Sequence, residues 1–168
     1  MPEPLQYRGM PLVVPDNDSE WKEFYAAARQ HRLLLRTCRA CGLMRYPPLV
    51  ACPWCASLDW SHREVSGRGT IVSYEIVVHA IQPGFKEWAP YPVVLVELDE
   101  QRGHPTADEG LRMIANLIGA AGRPEAEENV AIGKRVRVVF HDLADHLALP
   151  QFTLTDEPPA GPIWRFPG

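Results

Sequence analysis

The chain of 168 residues has no apolar run long enough to cross a bilayer, which takes about 18 such residues in succession. Its first residues lack the basic-then-apolar order of a secretory signal. A soluble cytoplasmic protein without membrane contact is the expectation. Positive charge is also scarce: 17 basic residues against 21 acidic ones leave a formal charge of −4. That balance argues against a general nucleic-acid binder, which is usually basic. No constellation for nucleophilic catalysis stands out. Ser66 and Ser73 lack the turn context of a nucleophile elbow, and the six histidines are scattered. The tightest titratable group is His141 and His146 with Asp142 and Asp145 between them, which reads as the surface chemistry of a polar loop. What the chain does hold is an apolar share of 46%, enough for the core of one moderate domain or two small ones.

Cysteine is scarce but arranged. There are four, in two C-x-x-C pairs, Cys38/Cys41 and Cys52/Cys55, with ten residues between the pairs. Each pair turns two thiolates toward one point, and the spacer suits a short hairpin. Together they supply the four soft ligands of a closed tetrahedral Zn²⁺ site. Gly42 after the first pair suits a knuckle turn with φ > 0. Two disulfides would need an oxidising compartment that nothing in the sequence indicates. A redox pair would be expected to open a helix after a strand, a context absent here. A closed four-cysteine site keeps no open position, so the metal is expected to hold structure rather than activate water.

The charge is uneven. Residues 29–68 carry seven arginines and two acids, a balance of +5, and the remainder balances at −9. The cysteine module is thus a positive island, either a solvated ribbon surface or an anion site. For the second reading Arg32, Arg36, Arg39, Arg45 and Arg68 are the candidates to meet the phosphates of a nucleotide-bearing ligand.

Along the chain, residues 1–15 read as a proline-rich arm. Asp18 or Ser19 is expected to cap a helix running to about Gln30. Trp21, Phe24, Tyr25 and Ala28 fall on one stripe of that helix. Arg32 to Thr37 and Arg45 to Val50 read as strands that enter the two knuckles, the order of a zinc ribbon. Five strands follow: Thr70 to Ala80, with Val72, Tyr74, Ile76 and Val78 on one face; Tyr91 to Asp99, with Val94, Val96 and Leu98; Leu111 to Ile118; Lys134 to Phe140, with Val136, Val138 and Phe140 inward and Arg135 and Arg137 outward; and Gln151 to Thr155. Five short strands suggest a small closed barrel of the OB type. The expected architecture is therefore mainly β: arm and helix over 1–31, zinc ribbon over 32–64, five-stranded OB-fold barrel over 65–157, and an extended tail over 158–168. Phe85, Trp88 and Tyr91 border a loop beside the barrel, and Trp164 and Phe166 stand on the tail. With Trp21, Phe24 and Tyr25 they are the candidate anchors for a partner surface.

The ordered series W-x-x-F at Trp21 and Phe24, L-L-L-R-T-C-R-A-C-G, Y-P-P, C-P-W-C, S-G-R-G-T, P-Y-P-V-V-L-V-E-L-D, G-L-R-M-I-A-N-L-I-G and I-G-K-R-V-R-V-V-F resembles the DUF35 family, a rubredoxin-like zinc ribbon joined to an OB-fold. The resemblance covers residues 19–141, and the loop from Gln101 to Glu109 is longer than the family's usual hairpin. It implies association with acyl-CoA chemistry as the accessory subunit of a thiolase-fold enzyme. The chain is similar to the free-standing form of the domain that partners a lipid-transfer-type aldolase, a retro-aldol lyase acting on steroid side-chain CoA thioesters. The expectation is a hetero-oligomer with an acyl-CoA thioester inside the complex and no catalysis by this chain alone. A subunit of a thiolase-like acyltransferase, a single-stranded nucleic-acid module and a free-standing acyl-CoA carrier are the alternatives.

Overall fold

The structure, a computed structural model, describes residues 5–15, 18–159 and 161–166. The first four residues of the arm, and Ala160, Pro167 and Gly168 of the tail, lie outside them. In chain order the elements are β1 (Gln6–Tyr7), β2 (Met10–Pro11), α1 (Lys22–Ala28), β3 (Leu33–Cys38), β4 (Met44–Arg45), β5 (Trp60–Val65), β6 (Arg68–Val77), β7 (Tyr91–Leu98), β8 (Arg112–Asn116), β9 (Arg135–Ala144) and β10 (Leu147–Leu154).

Helix α1 is shorter than its apolar stripe suggested, and neither Asp18 nor Ser19 caps it with a side chain. The Asp18 carbonyl closes the first turn instead, accepting the amides of Trp21 at 3.0 Å and Lys22 at 2.9 Å. Seven residues cannot hold a helix in water. This one is held by packing against β3 and β10, with Phe24, Ala27 and Ala28 buried. Phe24, expected at a partner surface, is in this chain's own core.

The ribbon sheet has the order β4-β3-β5. The expected return strand from Arg45 to Val50 reduces to the two residues of β4. Pro47 and Pro48 have no N–H to donate to a ladder, so the chain leaves the sheet there. The long pairing is instead β3 with β5, from Leu33↔Val65 to Cys38↔Trp60. The sequence reading missed β5 because W-S-H-R-E-V carries few apolar residues; three of its six are half-buried and two exposed.

The second sheet has the order β10-β9-β6-β7-β8. Val94, Val96 and Leu98 of β7 are fully buried, as their alternation required. On β6 the expected face is displaced. A register shift between Ile71 and Ser73 puts Ile71 inward ahead of Tyr74 and Ile76; the strand ends at Val77 and leaves Val78 exposed. The barrel closes less completely than expected: where β8 meets β10, one parallel bridge, Leu117↔Phe152, joins the edges. There the Ile118 amide donates to the Phe152 carbonyl at 2.7 Å. β9 and β10 form one long hairpin whose two-residue turn is Asp145-His146. The acid- and histidine-bearing segment is therefore a sheet extension, not a loop.

Arg135, expected outward, is buried. Its guanidinium reaches Asp99 Oδ1 at 2.7 Å, Thr70 Oγ1 at 2.9 Å and Glu157 Oε2 at 3.3 Å. A buried guanidinium is tolerated only when charge and donors are both met, and these partners meet them. The arm folds into the hairpin β1–β2 and straps the loop before β7. There Arg8 Cζ lies 3.8 Å from the Trp88 ring centroid, and Arg8 Nε donates to the Gly84 carbonyl at 2.6 Å. Trp88 is thereby buried, so it belongs to internal packing rather than to an exposed anchor set.

Candidate metal centre and its surroundings

The two knuckles are near copies. Cys38 ends β3, and its carbonyl accepts the Gly42 amide at 2.9 Å while its amide donates to the Leu43 carbonyl at 2.9 Å. Cys52 repeats the pattern with Ala56 and Ser57, again at 2.9 Å. Both turns need a left-handed residue after the second cysteine. Gly42 supplies it at φ 78°, and Ala56 supplies it at φ 60° against the steric cost of its Cβ.

The four sulfur atoms lie within 4.8 Å of one another. Cys38 Sγ is 3.6 Å from Cys55 Sγ, and Cys41 Sγ is 3.6 Å from Cys52 Sγ. A tetrahedral Zn²⁺ with about 2.3 Å bonds sets its sulfurs roughly 3.8 Å apart, so the cradle matches the ion. All four cysteines are free thiols, which removes the disulfide reading. The Cys41 amide, donating to the Cys38 sulfur, outweighs lost hydration and, with the Ala40 amide, brings that thiol down from 9.0 to about 6. At Cys52 burial opposes ionisation, yet the amides of Cys55 and Trp54 still lower the thiol below its ordinary value. Cys41 and Cys55 go the other way: the amides of Leu43 and Ser57 lower them, but burial and the neighbouring sulfurs win and push both thiols up. The loops therefore prepare one thiolate in each knuckle, the form a metal binds. Among the described residues these cysteines are the one place where three or more ligand atoms of His, Cys, Asp or Glu converge. The centre is a structural zinc site: four thiolates complete the coordination, and the ion would pin two loops that lack a core of their own.

The arginines of the positive island divide into two sets. Arg36 and Arg45 are buried. Arg36 Nη1 and Arg45 Nε both donate to the Leu49 carbonyl, at 3.0 and 2.9 Å, and Arg36 Nη2 donates to Ser19 O at 3.2 Å. Arg36 also stacks on Trp60, 3.8 Å from its ring centroid. These two are internal clamps that fold the segment between the knuckles. Arg32, Arg39 and Arg68 remain at the surface, each beside a carboxylate: Glu64, Asp59 and Glu157.

The ribbon is fastened to the barrel by Gln101, which the sequence reading passed over as part of a long loop. The Met44 amide donates to Gln101 Oε1 at 2.7 Å, and Gln101 Nε2 donates to the Met44 carbonyl at 3.1 Å. The side-chain amide thus continues β4 as a strand neighbour would. The signal that could have marked it is weak: one uncharged polar residue between Glu100 and Arg102.

Of the candidate anchors, Trp21 and Tyr25 join Tyr46 and Phe24 in one cluster, with Trp21 to Phe24 ring centroids 5.4 Å apart and Trp21 to Tyr46 5.9 Å. Phe85 and Tyr91 are half-buried around Trp88. Trp164 and Phe166 are the exposed pair, at 49% and 74%. The tail that carries them is tied to the barrel by the Ile132↔Trp164 bridge and by the Phe166 amide, which donates to the Tyr74 hydroxyl at 2.9 Å.

A four-thiolate ribbon set on an OB-type barrel is the architecture of a two-domain zinc ribbon–OB-fold protein. The domain described as "ChsH2, rubredoxin-like zinc ribbon domain" matches residues 26–61, and "ChsH2, C-terminal OB-fold domain" matches residues 62–141. A solved structure described as the Ltp2-ChsH2(DUF35) aldolase is 34% identical with a TM-score of 0.65, covering 82% of this chain and 95% of that one. The chain belongs to the DUF35 family, in its ChsH2 branch. A DUF35 structure from Sulfolobus solfataricus, 16% identical with a TM-score of 0.52, shares the fold. A probable enoyl-CoA hydratase alpha subunit of Thermomonospora curvata is 35% identical over 150 residues, and a 3-oxo-4,17-pregnadiene-20-carboxyl-CoA hydratase alpha subunit of Mycobacterium tuberculosis is 32% identical over 135. These matches take in 89% and 80% of this chain, which spans only 41% and 38% of those proteins.

Proposed function

We propose that this chain is a non-catalytic, zinc-stabilised partner subunit of a thiolase-like acyl-CoA enzyme, the retro-aldol lyase that cleaves a steroid side-chain CoA thioester. One observation carries the reading: the likeness to the Ltp2-ChsH2(DUF35) aldolase, at 34% identity, takes in 95% of that chain. The DUF35 relative from Methanocaldococcus jannaschii, 28% identical over 109 residues, is called a scaffold protein, which supports a role in assembly. The chemistry of the site agrees. A closed thiolate set has no position for substrate. The described histidines with close partners are His31, which stacks on Phe140 and bonds Asp142 Oδ1 at 2.8 Å, His62, edge-on to Trp60, and His141, edge-on to Tyr7.

In this reading Trp164 and Phe166, rigidly presented and exposed, meet the partner, with Trp21 and Tyr25 bordering the same role. Arg32, Arg39 and Arg68 meet CoA phosphates in the assembled site. Arg32 and Arg39 now face exposed carboxylates whose attraction solvent screens, which a phosphate displaces readily, while Arg68 shares Glu157 with Arg135. Arg36 and Arg45 act indirectly by holding the ribbon. Co-expression with a thiolase-like aldolase subunit tests the proposal. The expected result is a stable heteromer that cleaves the CoA thioester only when both chains are present. A monomer that leaves the partner's turnover unchanged would refute it. Loss of complex in a Trp164→Ala, Phe166→Ala double variant tests the anchors, and a raised KM for thioester in Arg39→Gln tests the phosphate contact.

A further inference from the structure

One face of the β9–β10 hairpin is roofed rather than open. Arg137, Val139 and His141 of β9 share that face with Gln151 and Thr153 of β10, through the cross-strand pairs Thr153↔Arg137, Gln151↔Val139 and Leu149↔His141. It is the outer face, since Val136 and Phe152 on the alternate positions are buried in the barrel. Tyr7 from the arm, Trp88 from the strapped loop, and Ile118 with Gly119 from the β8 end cover it, leaving a cavity of about 300 Å³ open to solvent. This volume lies at the small end of the range for ligand pockets, roughly 300–1,000 Å³.

The polar inventory of the cavity is one-sided. No aspartate or glutamate is among its lining residues. Arg137 is exposed and forms no ion pair among the described residues. Its neighbours are already engaged: Glu157 by Arg68 and Arg135, and Asp142 by His31. Arg68 stands directly across from Arg137 on β6 and is paired with Glu157, which leaves the Arg137 guanidinium without a counter-charge of its own. Gln151 is 93% buried, lines the cavity, and its Oε1 accepts no hydrogen bond. That acceptor calls for a donor, which a carboxylate does not carry, so it takes no part in holding an anion and the charge falls to Arg137. Thr153 and His141 are the other polar groups at its wall, and the remainder is apolar or aromatic.

We infer that this cavity is a binding site for a small apolar monocarboxylate, its carboxylate on Arg137 and its hydrocarbon body against Val139, Ile118 and the Trp88 and Tyr7 rings. The site stands on the outer face of the barrel and does not involve the zinc ribbon. It is independent of the partner-subunit reading, because it is testable on this chain alone. A cavity of this size equals about ten waters at ~30 Å³ each, which suits a straight acyl chain of middle length. Decanoate is therefore the probe.

Isothermal titration of the full zinc-loaded chain is expected to show saturable 1:1 binding of decanoate. Decanol, with the same body and no charge, and inorganic phosphate, with charge and no body, are each expected to bind at least tenfold more weakly. Arg137→Gln is expected to weaken decanoate at least tenfold, the scale of a charge-assisted hydrogen bond. Thr153→Glu is a second variant at a half-buried strand position. It sets a carboxylate opposite Arg137 and should block the site from within while the zinc content stays at one per chain. Non-saturable uptake, or Arg137→Gln binding decanoate as the native chain does, would overturn the proposal. Equal binding of phosphate and decanoate would overturn the ligand class.

Discussion

Replacing Gln101 with leucine keeps the side chain's bulk and removes the amide that bridges ribbon and barrel. Two backbone groups of Met44 lose their partners at once: an amide held at 2.7 Å and a carbonyl held at 3.1 Å. Met44 is 5% exposed, so water replaces neither bond without opening the junction. An unsatisfied buried backbone group costs about 1–3 kcal/mol. Allowing for local relaxation, the pair should cost about 2–4 kcal/mol. With a urea slope of about 2 kcal/mol/M, the midpoint should fall by about 1–2 M. The assay is a urea titration of zinc-loaded protein, followed in parallel by tryptophan fluorescence and far-ultraviolet circular dichroism. If the ribbon and barrel also part company, the two probes will cease to coincide. A midpoint shift below about 0.25 M, which is about 0.5 kcal/mol at that slope, would show that Gln101 is not the fastener.

The remaining predictions concern the knuckles and the buried ion pair. Cys38→Ser, or chelation of the native protein, should unfold the ribbon, since structural zinc contributes about 10–16 kcal/mol in small zinc modules; ribbon amide resonances that persist without metal would contradict this. Ala56→Gly should stabilise the zinc-loaded protein by about 0.5 kcal/mol, because relief of a left-handed alanine, about 1–2 kcal/mol, exceeds the entropy that glycine adds to the unfolded chain; a lowered thermal midpoint would refute it. Asp99→Ala should cost about 3 kcal/mol by stripping Arg135 of its principal counter-charge, read as a fall in the urea midpoint at neutral pH. Hydrogen bonds from Arg135 hold the Asp99 carboxyl below its ordinary 3.8. The native stabilisation is therefore complete above about pH 4 and lost as pH falls through the lowered value. Asp99→Asn should flatten that acid limb, and an unchanged acid transition would count against the pair.

The zinc site was legible in the sequence because its information is local. Two cysteines three apart, followed after the first pair by Gly42, specify a knuckle whatever the rest of the chain does; the left-handed Ala56 after the second pair carries no such signal. The alternation of Val94, Val96 and Leu98 was legible for a similar reason: a period of two is read within the strand itself. Where a feature depended on what lies opposite, the reading failed. The strand expected over Arg45 to Val50 shrinks to β4 because Pro47 and Pro48 cannot pair, and its long neighbour β5 has no apolar pattern and exists because β3 offers it a ladder. Arg135 reads as an outward residue by parity. It is buried because Asp99, Thr70 and Glu157, from distant segments, converge on it and meet its charge and donors.

The same division runs through the function. The cysteine spacing and the ordered motifs, taken alone, determined the four-thiolate metal site, the two-module architecture and the DUF35 resemblance. Only the tertiary structure sorted the arginines and the aromatics. It buried Arg36 and Arg45 around the Leu49 carbonyl, drew Phe24 and Trp88 into packing, and left Trp164 and Phe166 outside on a tail tied down by backbone bonds. The physical reason is that coordination and strand alternation are short-range properties written in consecutive residues. Burial of a charge or a ring is a property of the whole packed volume, which no local stretch of sequence contains.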